Sequence, residues 1–267
     1  MTLTLSCVAA AVEAVAPLSL AEPWDRPGLQ VGHPRAPVSS VLIALDPSPR
    51  TVDEARRRGA DLVLTHHPLF LKPIERLNLA EPLGEVVRNL VAGGIGLYAA
   101  HTNLDRAPGG VNDWLARRLG LERVESFGQA APGQPGPGRV GALPGPVALG
   151  RWAEQAAERL GCRAPRLVGD PAAVVERVAV CGGSGASLWP EALGAGARVL
   201  VTGDVKHHPA LDALAAGMAL LDLGHVPTER GAKAVLERIV HGLATQRGEP
   251  LDVFLLEEEE PWSRVGA

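Results

Sequence analysis

The sequence predicts a two-lobed α/β protein, in which mixed, mainly parallel sheets are flanked by helices. Three observations predict this class. From Val38 onward, short apolar runs of strand length alternate with helical segments, a pattern typical of parallel sheets covered by helices. The 267 residues suffice for one large domain or two moderate ones. The core must be aliphatic, because 46% of the residues are hydrophobic and only 3% are aromatic.

The first elements carry clear start and stop signals. The apolar run 41–45 predicts a buried strand that ends before Asp46-Pro47, where Asp46 is expected to form a turn. Thr51-Val-Asp-Glu54 has the pattern of a capping box and predicts a helix from there to Gly59. Further along, the pattern predicts a strand over 61–65, a helix over 81–92, a strand over 95–100 and a helix over 111–119.

A segment rich in proline and glycine, residues 130–138, interrupts the alternation and predicts a loop or domain boundary. Beyond it the pattern predicts a helix over 148–160, strands over 174–181, 199–202, 220–223 and 251–256, and a long helix over 227–243. We therefore predict one α/β lobe from residues 1–126 with 222–267, which carries most of the candidate metal ligands discussed below, and a second from 127–221.

Composition argues against several classes of protein. A net charge of −4 supplies no broad basic field for nucleic acid or membrane, and no apolar span reaches membrane length. Cys7, Cys162 and Cys181 are isolated thiols, so we expect small buried apolar residues rather than disulfides or a cysteine-based zinc site.

The two ends of the chain lead to separate expectations. The first twenty residues lack a basic segment, and Glu13 and Pro17 interrupt their apolar run, so no signal peptide is expected and the setting is predicted to be cytoplasmic. The acidic run Glu257–Glu260 is predicted to be a solvated end rather than a binding surface.

The histidines are concentrated at predicted strand ends. Acids follow nearby in the sequence, namely Asp105, Asp204 and Glu229. Because parallel strands deliver their carboxyl ends to one edge of a sheet, side chains from distant parts of the chain can converge there. Six of the eight histidines lie directly after a predicted strand: His66, His67, His101, His207, His208 and His225.

Imidazoles with carboxylates suit Zn, Fe, Mn, Co or Ni. Adjacent histidines on an extended segment point to opposite sides, so His66 and His67 suit two neighbouring ions better than one. The same interval separates two His–acid pairs, and each pair shares one face where its segment is helical: His101 with Asp105, and His225 with Glu229. The sequence therefore predicts a metal site, and isolated roles as caps or turn residues are the alternative.

Four blocks of the sequence resemble the signature blocks of the dinuclear-metal-centre hexameric proteins, also called NIF-three-like proteins or GTP cyclohydrolase I type 2 homologues. The blocks occur in the family's order over nearly the whole chain, and no long central insertion is present. The residue after His225, Val226, departs from the bulkier or polar residue that is frequent in the family. The blocks are Thr65–Phe70, His101–Asp105, Thr202–His208 and Gly224–Arg230.

The resemblance implies two divalent metal ions per subunit, which could be Zn, Fe, Mn, Co or Ni. It implies that His66 ligates one ion and His67 the other. It further implies that Asp105 joins the second ion, His225 joins the first, Glu229 bridges both and His101 ligates or orients. It also implies a NIF-three-like fold and a ring-shaped homohexamer with the metal pairs lining an inner cavity.

Two carboxylates leave a dinuclear site positively charged, which suits an anionic small-molecule substrate, and paired ions are typical of hydrolysis. Lys206, His207 and His208 are predicted to contact a phosphate or to move protons. The turn after a predicted strand is either an anion-binding nest or a plain tight turn; it consists of Gly182, Gly183, Ser184 and Gly185.

The leading hypothesis is a cytoplasmic metal-dependent hydrolase of a phosphorylated or nucleotide-like small molecule. Opening of a purine ring is its specific form, which the family's name suggests. One alternative is a metal-binding or metal-delivery protein without turnover. The other is a ring-shaped nucleic-acid-binding protein, which the acidic net charge disfavours.

Overall fold

The computed structural model describes residues 3–258 and 261–262 of the chain. The α-helices are α1 (Leu5–Val15), α2 (Pro49–Arg58), α3 (Pro82–Ala92), α4 (Thr102–Arg106), α5 (Val111–Arg118), α6 (Leu149–Leu160), α7 (Trp189–Gly194), α8 (His207–Ala215), α9 (His225–Glu229) and α10 (Gly231–Arg247). The strands are β1 (Gly28–Val31), β2 (Ser40–Ala44), β3 (Leu62–Thr65), β4 (Gly96–Ala99), β5 (Glu122–Phe127), β6 (Gly138–Ala148), β7 (Arg166–Val168), β8 (Val174–Val180), β9 (Val199–Thr202), β10 (Ala219–Asp222) and β11 (Asp252–Leu255).

The chain folds as two compact units. The first consists of Met1–Leu104 with Ala232–Ala267, and the second of Asp105–Gly231. These units differ from the predicted lobes over residues 105–126 and 222–231. As a result, three of the candidate ligands belong to the first unit and three to the second: His66, His67 and His101 in the first, and Asp105, His225 and Glu229 in the second.

The first unit contains a five-stranded sheet in the order β1-β4-β3-β2-β11. Strand β1 is antiparallel to β4, and the other neighbours are parallel. Every residue of β2, β3 and β4 is buried, as expected for parallel strands covered on both faces. Aliphatic side chains such as Leu42, Val63 and Leu97 form its core together with residues of α2 and α3.

The second unit contains a six-stranded sheet in the order β5-β6-β8-β9-β10-β7. Its three neighbouring strands β8, β9 and β10 are parallel, whereas the outer pairings are antiparallel. Val178, Val199 and Leu221 of these strands pack in one cluster with Trp152 of α6. The protein is therefore an α/β protein with two mixed sheets flanked by helices, which confirms the predicted fold class.

The start of α2 differs from the predicted capping box. Ser48, rather than Thr51, is the N-cap, and its side chain accepts a hydrogen bond from the backbone N–H of Thr51. Glu54 bonds to Arg57 and Arg58 on the exposed side of the helix. The prediction of a Thr51–Glu54 capping box is wrong because Pro49 follows Ser48 and already suits the first helical turn.

The predicted helix over 227–243 begins earlier, at His225, and is interrupted at Arg230 between α9 and α10. A short connection joins the end of β10 at Asp222 to α9. In this connection the backbone N–H of Gly224 donates a hydrogen bond to the Asp222 carboxylate at 2.9 Å. Gly224 has a φ of 85° and is the residue before the helix. Both His225 and Glu229 therefore lie inside one short helix.

The acidic run near the end of the chain is partly tied to the first unit. The Glu258 carboxylate accepts a hydrogen bond from the Leu45 backbone N–H at 2.5 Å and pairs with Lys233 of α10. A solvated end is therefore the wrong prediction for Glu258, because its carboxylate is mostly buried with a cationic partner. Glu259 and Glu260 lie outside the described residues.

Two other expectations concern cysteines and membranes. Cys181 is buried, whereas Cys7 and Cys162 are only partly buried, and none of the three forms a disulfide in the described part of the chain. Among the helices in the described ranges, none is both long enough and apolar enough to cross a bilayer.

Candidate metal-binding residues

Three histidines of the first unit lie together beyond the carboxyl ends of two parallel strands. His66 and His67 follow β3, and His101 follows β4. The ring centroids are 5.1 Å apart for His66 and His67, 5.2 Å for His66 and His101, and 5.5 Å for His67 and His101. One ring nitrogen from each lies within 4.8 Å of the others, a spacing that could hold a metal ion.

His66 and His67 do not point to opposite sides, contrary to the expectation from strand alternation. Strand β3 ends at Thr65, and the Thr65 hydroxyl donates to the His67 carbonyl at 2.7 Å. The backbone N–H groups of the two histidines donate to the carbonyls of Ala44 and Leu45. This local bend replaces the extended geometry, so the two imidazoles lie side by side.

A hydrogen bond at Nδ1 fixes the orientation of each of these rings. His66 Nδ1 lies 2.8 Å from the Ala100 carbonyl oxygen. Because a carbonyl only accepts, Nδ1 must carry the proton, and the neutral ring then has its lone pair on Nε2. His67 Nδ1 donates in the same way to Asp46 at 2.7 Å. Asp46, which the sequence predicted to be a turn residue, therefore orients a candidate ligand.

His101 is oriented by a residue that the sequence did not indicate. Its Nδ1 donates to Asp25 at 2.8 Å, and the other Asp25 oxygen accepts from the Thr102 backbone N–H at 3.0 Å and from the Thr102 hydroxyl at 2.5 Å. Asp25 lies 76 residues before His101, in a segment without histidines, so no local signal could have revealed the pair.

The pKa of Asp25 reflects this environment. Burial acts to raise the pKa, but hydrogen bonds from His101 and Thr102 outweigh it and lower the pKa of Asp25 to about 2. The carboxylate is therefore ionised at neutral pH and remains an acceptor. A permanent acceptor keeps the proton of His101 on Nδ1 and leaves Nε2 as the metal-binding nitrogen.

The second unit contributes a histidine and a glutamate from the same face of α9. His225 Nε2 lies 2.9 Å from a carboxylate oxygen of Glu229, four residues later. Two ligand atoms at right angles, each about 2.1 Å from one ion, lie about 3.0 Å apart. The pair is therefore spaced to ligate one ion together, and its place on one helical face agrees with the sequence prediction.

His225 also has a carboxylate partner at Nδ1. Asp204, which follows β9, accepts from His225 Nδ1 at 2.7 Å. The backbone of Asp204 is left-handed, with a φ of 52°, a conformation that aspartate tolerates better than most residues. The His225 side chain is 32% exposed and that of Glu229 only 5%, so the imidazole is accessible while the carboxylate is held inside.

The glycine-rich turn after β8 packs against Glu229. Gly183 has a φ of 63°, and a Cβ at this position would be 2.0 Å from a Glu229 carboxylate oxygen. Gly183 N–H donates to the Thr228 hydroxyl at 3.0 Å, which ties the turn to α9. The turn therefore positions Glu229, a role that the sequence did not suggest.

The backbone donors of this turn are engaged within the protein. Gly182 N–H donates to the Asn112 side chain, and Gly185 N–H donates to the Thr202 hydroxyl, both at 2.8 Å. With Gly183 bonded to Thr228, an anion at this turn would have to be bound without these three N–H groups. Anion binding by residues 182–185, including Ser184, stays a prediction.

The remaining predicted residues occupy other places in the second unit. Asp105 lies in α4, and its carbonyl accepts from Asn112 at 3.3 Å. Lys206 is the N-cap residue of α8, whose first residues are His207 and His208. All three side chains are exposed, and the two imidazole rings are 5.4 Å apart. Their roles in phosphate contact or proton transfer stay predictions.

The donor sets suit divalent transition metals. The first unit offers imidazoles that are held in one tautomer, and the second offers an imidazole with a carboxylate. Neutral imidazole and carboxylate are ligands for Zn, Fe, Mn, Co or Ni, and hydrogen bonds at Nδ1 are the usual arrangement around such ligands. The residues therefore fit the metal that the sequence predicted.

Comparisons with known proteins agree with this picture. The family model described as Duf34/NIF3 (NGG1p interacting factor 3) matches residues 3–261. A GTP cyclohydrolase 1 type 2 homolog of Streptomyces coelicolor is 44% identical over 231 residues, which cover 84% of this chain and 81% of that protein. NIF3-like protein 1 of Drosophila melanogaster is 30% identical over 231 residues, with coverage of 85% and 78%.

Solved structures show the same fold. A Bacillus cereus protein related to NIF3 has a TM-score of 0.91 at 25% identity and covers 99% of both chains. Reduced HcgD from Methanocaldococcus jannaschii has a TM-score of 0.79 at 27% identity, covering 97% of this chain and 99% of that chain.

Proposed function

The chain belongs to the Duf34/NIF3 family, and from this premise we propose that it is a metal-dependent hydrolase of a phosphorylated or nucleotide-like small molecule. We further propose that it binds two divalent ions per chain. The name of its bacterial relatives, GTP cyclohydrolase 1 type 2 homolog, agrees with such a substrate. Purine-ring opening is the specific form of this proposal.

The observation that carries the proposal is the common state of four histidines. His66, His67, His101 and His225 each have a carbonyl or carboxylate oxygen within 2.8 Å of Nδ1. A set of imidazoles that all present Nε2 is preorganised for metal ions. Core histidines with unrelated structural roles have no reason to share this arrangement.

Accessibility supports an open site rather than a closed structural one, and hydrolysis requires an open site. The side chains of His67 and His225 are 20% and 32% exposed, so a ligand from solvent can approach the proposed metal-binding nitrogens. Bound divalent ions would supply Lewis acidity, polarising an oxygen of the substrate and lowering the pKa of water. Lys206, His207 and His208 are exposed and are proposed to contact a phosphate or transfer protons.

The proposal is tested first by counting metal per chain in protein purified without chelators or a histidine tag. We expect about two equivalents, and His67→Ala should lower the content towards one, because a ligand is lost. His241→Ala is the matched control, since His241 is an exposed histidine on α10 that belongs to neither donor set.

Two results would contradict the metal assignment. One is retention of both ions by His67→Ala, and the other is a wild-type content well below one after reconstitution with Zn, Mn, Fe, Co or Ni. With metal established, phosphoesters and nucleotides including GTP are assayed for turnover. Full metal loading without turnover of any of them would favour the metal-delivery alternative.

A further inference from the structure

A tryptophan stands exposed beside the histidine cluster of the first unit. The centroid of the Trp24 ring is 6.0 Å from that of His101, with the ring planes at 75°. Trp24 is 54% exposed, although tryptophan is on average a highly buried residue. The two rings are close to perpendicular rather than stacked, and about half of Trp24 stays exposed next to candidate metal ligands.

The segment that carries Trp24 is held rigidly. The backbone N–H of Glu22 donates a hydrogen bond to the Thr102 hydroxyl at 2.9 Å, and the Asp25 carboxylate accepts hydrogen bonds from His101 and Thr102. The Arg26 guanidinium donates to the carbonyls of Pro23 and Asp25 at 3.1 and 2.6 Å. Pro23, directly before Trp24, restricts the backbone further. The backbone that carries the indole is thus ordered before a ligand binds.

The exposure of Trp24 and the ordered backbone that carries it suit the residue to stacking. An exposed indole offers a flat π surface, and nucleobases stack on such surfaces with little dependence on which base is present. A phosphate gains nothing comparable from the same surface, because it has no π face.

We propose that Trp24 is a stacking platform for the planar heterocycle of a nucleobase-containing ligand whose other end reaches the metal-binding histidines. The inference rests on the proposed function and names the substrate class more narrowly, as a molecule with a nucleobase. Trp24 is a ligand-binding residue in this assignment, and neighbouring Asp25 orients His101.

The test compares the binding of three probes to the metal-loaded protein by calorimetry. Guanosine monophosphate and ribose 5-phosphate share a sugar phosphate and differ in the base, and guanosine has the base without the phosphate. We expect wild-type protein to bind guanosine monophosphate about tenfold more tightly than ribose 5-phosphate. Trp24→Ala should abolish that preference while keeping its metal content.

Two further variants make the test specific. Trp262→Ala removes a tryptophan that is 80% exposed and should leave the preference unchanged. Trp24→Phe keeps an aromatic face and should retain part of the preference, which provides a result even if the alanine variant folds poorly. Guanosine should also quench tryptophan fluorescence in wild type and in Trp262→Ala, and quench it less in Trp24→Phe.

The inference is overturned if wild type binds both sugar phosphates equally or if Trp24→Ala keeps the preference for the base. Should both sugar phosphates bind equally and independently of Trp24, the stacking platform falls while a phosphorylated substrate stands. Should guanosine bind through Trp24 while ribose 5-phosphate does not bind, the platform stands and the phosphate requirement of the proposed function falls.

Discussion

Among the described residues, three aspartates accept hydrogen bonds from candidate histidines, and Asp25 is the one whose side chain is fully buried. Those of Asp46 and Asp204 are 54% and 46% exposed, so water can replace their hydrogen bonds in part. In Asp25→Asn the amide N–H₂ group cannot accept from Thr102, and the fixed orientation of His101 is lost. We expect metal affinity to fall about 10- to 100-fold, measured by chelator competition.

Asp61→Asn is the control for this variant. Asp61 is also a carboxylate with several hydrogen bonds, to Ser39 and Ser40, but it lies before β3, at the opposite end from the histidines. Its replacement should lower stability without changing metal affinity. Equal losses of metal affinity in both variants would contradict a specific orienting role of Asp25.

Asp25 also gives a pH dependence to the stability of the metal-free protein. Its folded-state pKa of about 2 lies below its ordinary value of 3.8, so its stabilising contribution is present above pH 4 and is lost as the pH falls towards 2. The contribution is on the order of 2 kcal/mol. The difference in unfolding free energy between wild type and Asp25→Asn should therefore shrink over that range.

At the scale of elements, each unit uses three neighbouring parallel strands in the same way. The carboxyl ends of β2, β3 and β4 lead to Asp46, the His66–His67 pair and His101. Those of β8, β9 and β10 lead to the glycine turn, Asp204 and His225. Because strand ends are rigidly paired, residues distant in sequence are held in fixed positions.

The glycine turn after β8 gives a prediction for the substitution of Gly183. Gly183→Ala places a methyl group where the Glu229 carboxylate lies, in addition to the cost of a left-handed backbone. We expect a loss of stability together with a loss of metal at Glu229, measured by thermal unfolding and metal content. Displacement of one carboxylate oxygen is enough to spoil the 2.9 Å spacing with His225.

Gly59→Ala separates the two effects. Gly59 has nearly the same φ, 66°, but a Cβ there meets nothing within 4 Å. This control should cost only about 1 kcal/mol of backbone strain and keep full metal content. If Gly183→Ala also kept its metal, the turn would have no part in positioning Glu229.

The elements that sequence patterns predicted well are the ones with strong local signals. The buried strands β2, β3, β4 and β9 and the helices α5 and α6 lie within a few residues of their predicted positions. His66, His67 and His101 could be placed at strand ends by the same reasoning, whereas His207 and His208 begin α8 instead. Strand β6 was not predicted, because it contains Pro144 and Pro146, which normally argue against a strand.

What the sequence could not predict depends on contacts between distant residues. The pairing of Asp25 with His101 spans 76 positions, and no periodicity reports such a contact. The glycine turn was ambiguous for a related reason: whether its N–H groups bind an anion or the protein depends on Asn112, Thr202 and Thr228. The side-by-side arrangement of His66 and His67 required knowing where β3 ends.

At the scale of the whole molecule, we expect self-association into a homohexamer, which the family resemblance implies. The segment between β3 and α3 exposes four apolar side chains at closely spaced positions, Leu71, Ile74, Leu77 and Leu79. Clusters of this kind usually mark an interaction surface. Light scattering coupled to gel filtration should give six chains per particle.

A variant with Ile74→Asp and Leu77→Asp tests whether this segment takes part in self-association. It should yield smaller particles, since two charges would have to be buried in the interface. Val174→Asp, which changes a more exposed apolar residue of the second unit, is the control and should remain hexameric. A monomeric wild type would contradict the expectation outright.

The segment 22–26 carries two neighbouring side chains in different environments. Trp24 is exposed, and Asp25 accepts a hydrogen bond from His101. A ligand that stacks on Trp24 and reaches the metal-binding histidines would therefore have its affinity coupled to that of the ion. Thermodynamic linkage requires the effect to run both ways. The factor by which a nucleobase increases the affinity for metal must equal the factor by which metal increases the affinity for the nucleobase. The affinity measured for either ligand would therefore depend on whether the other is bound.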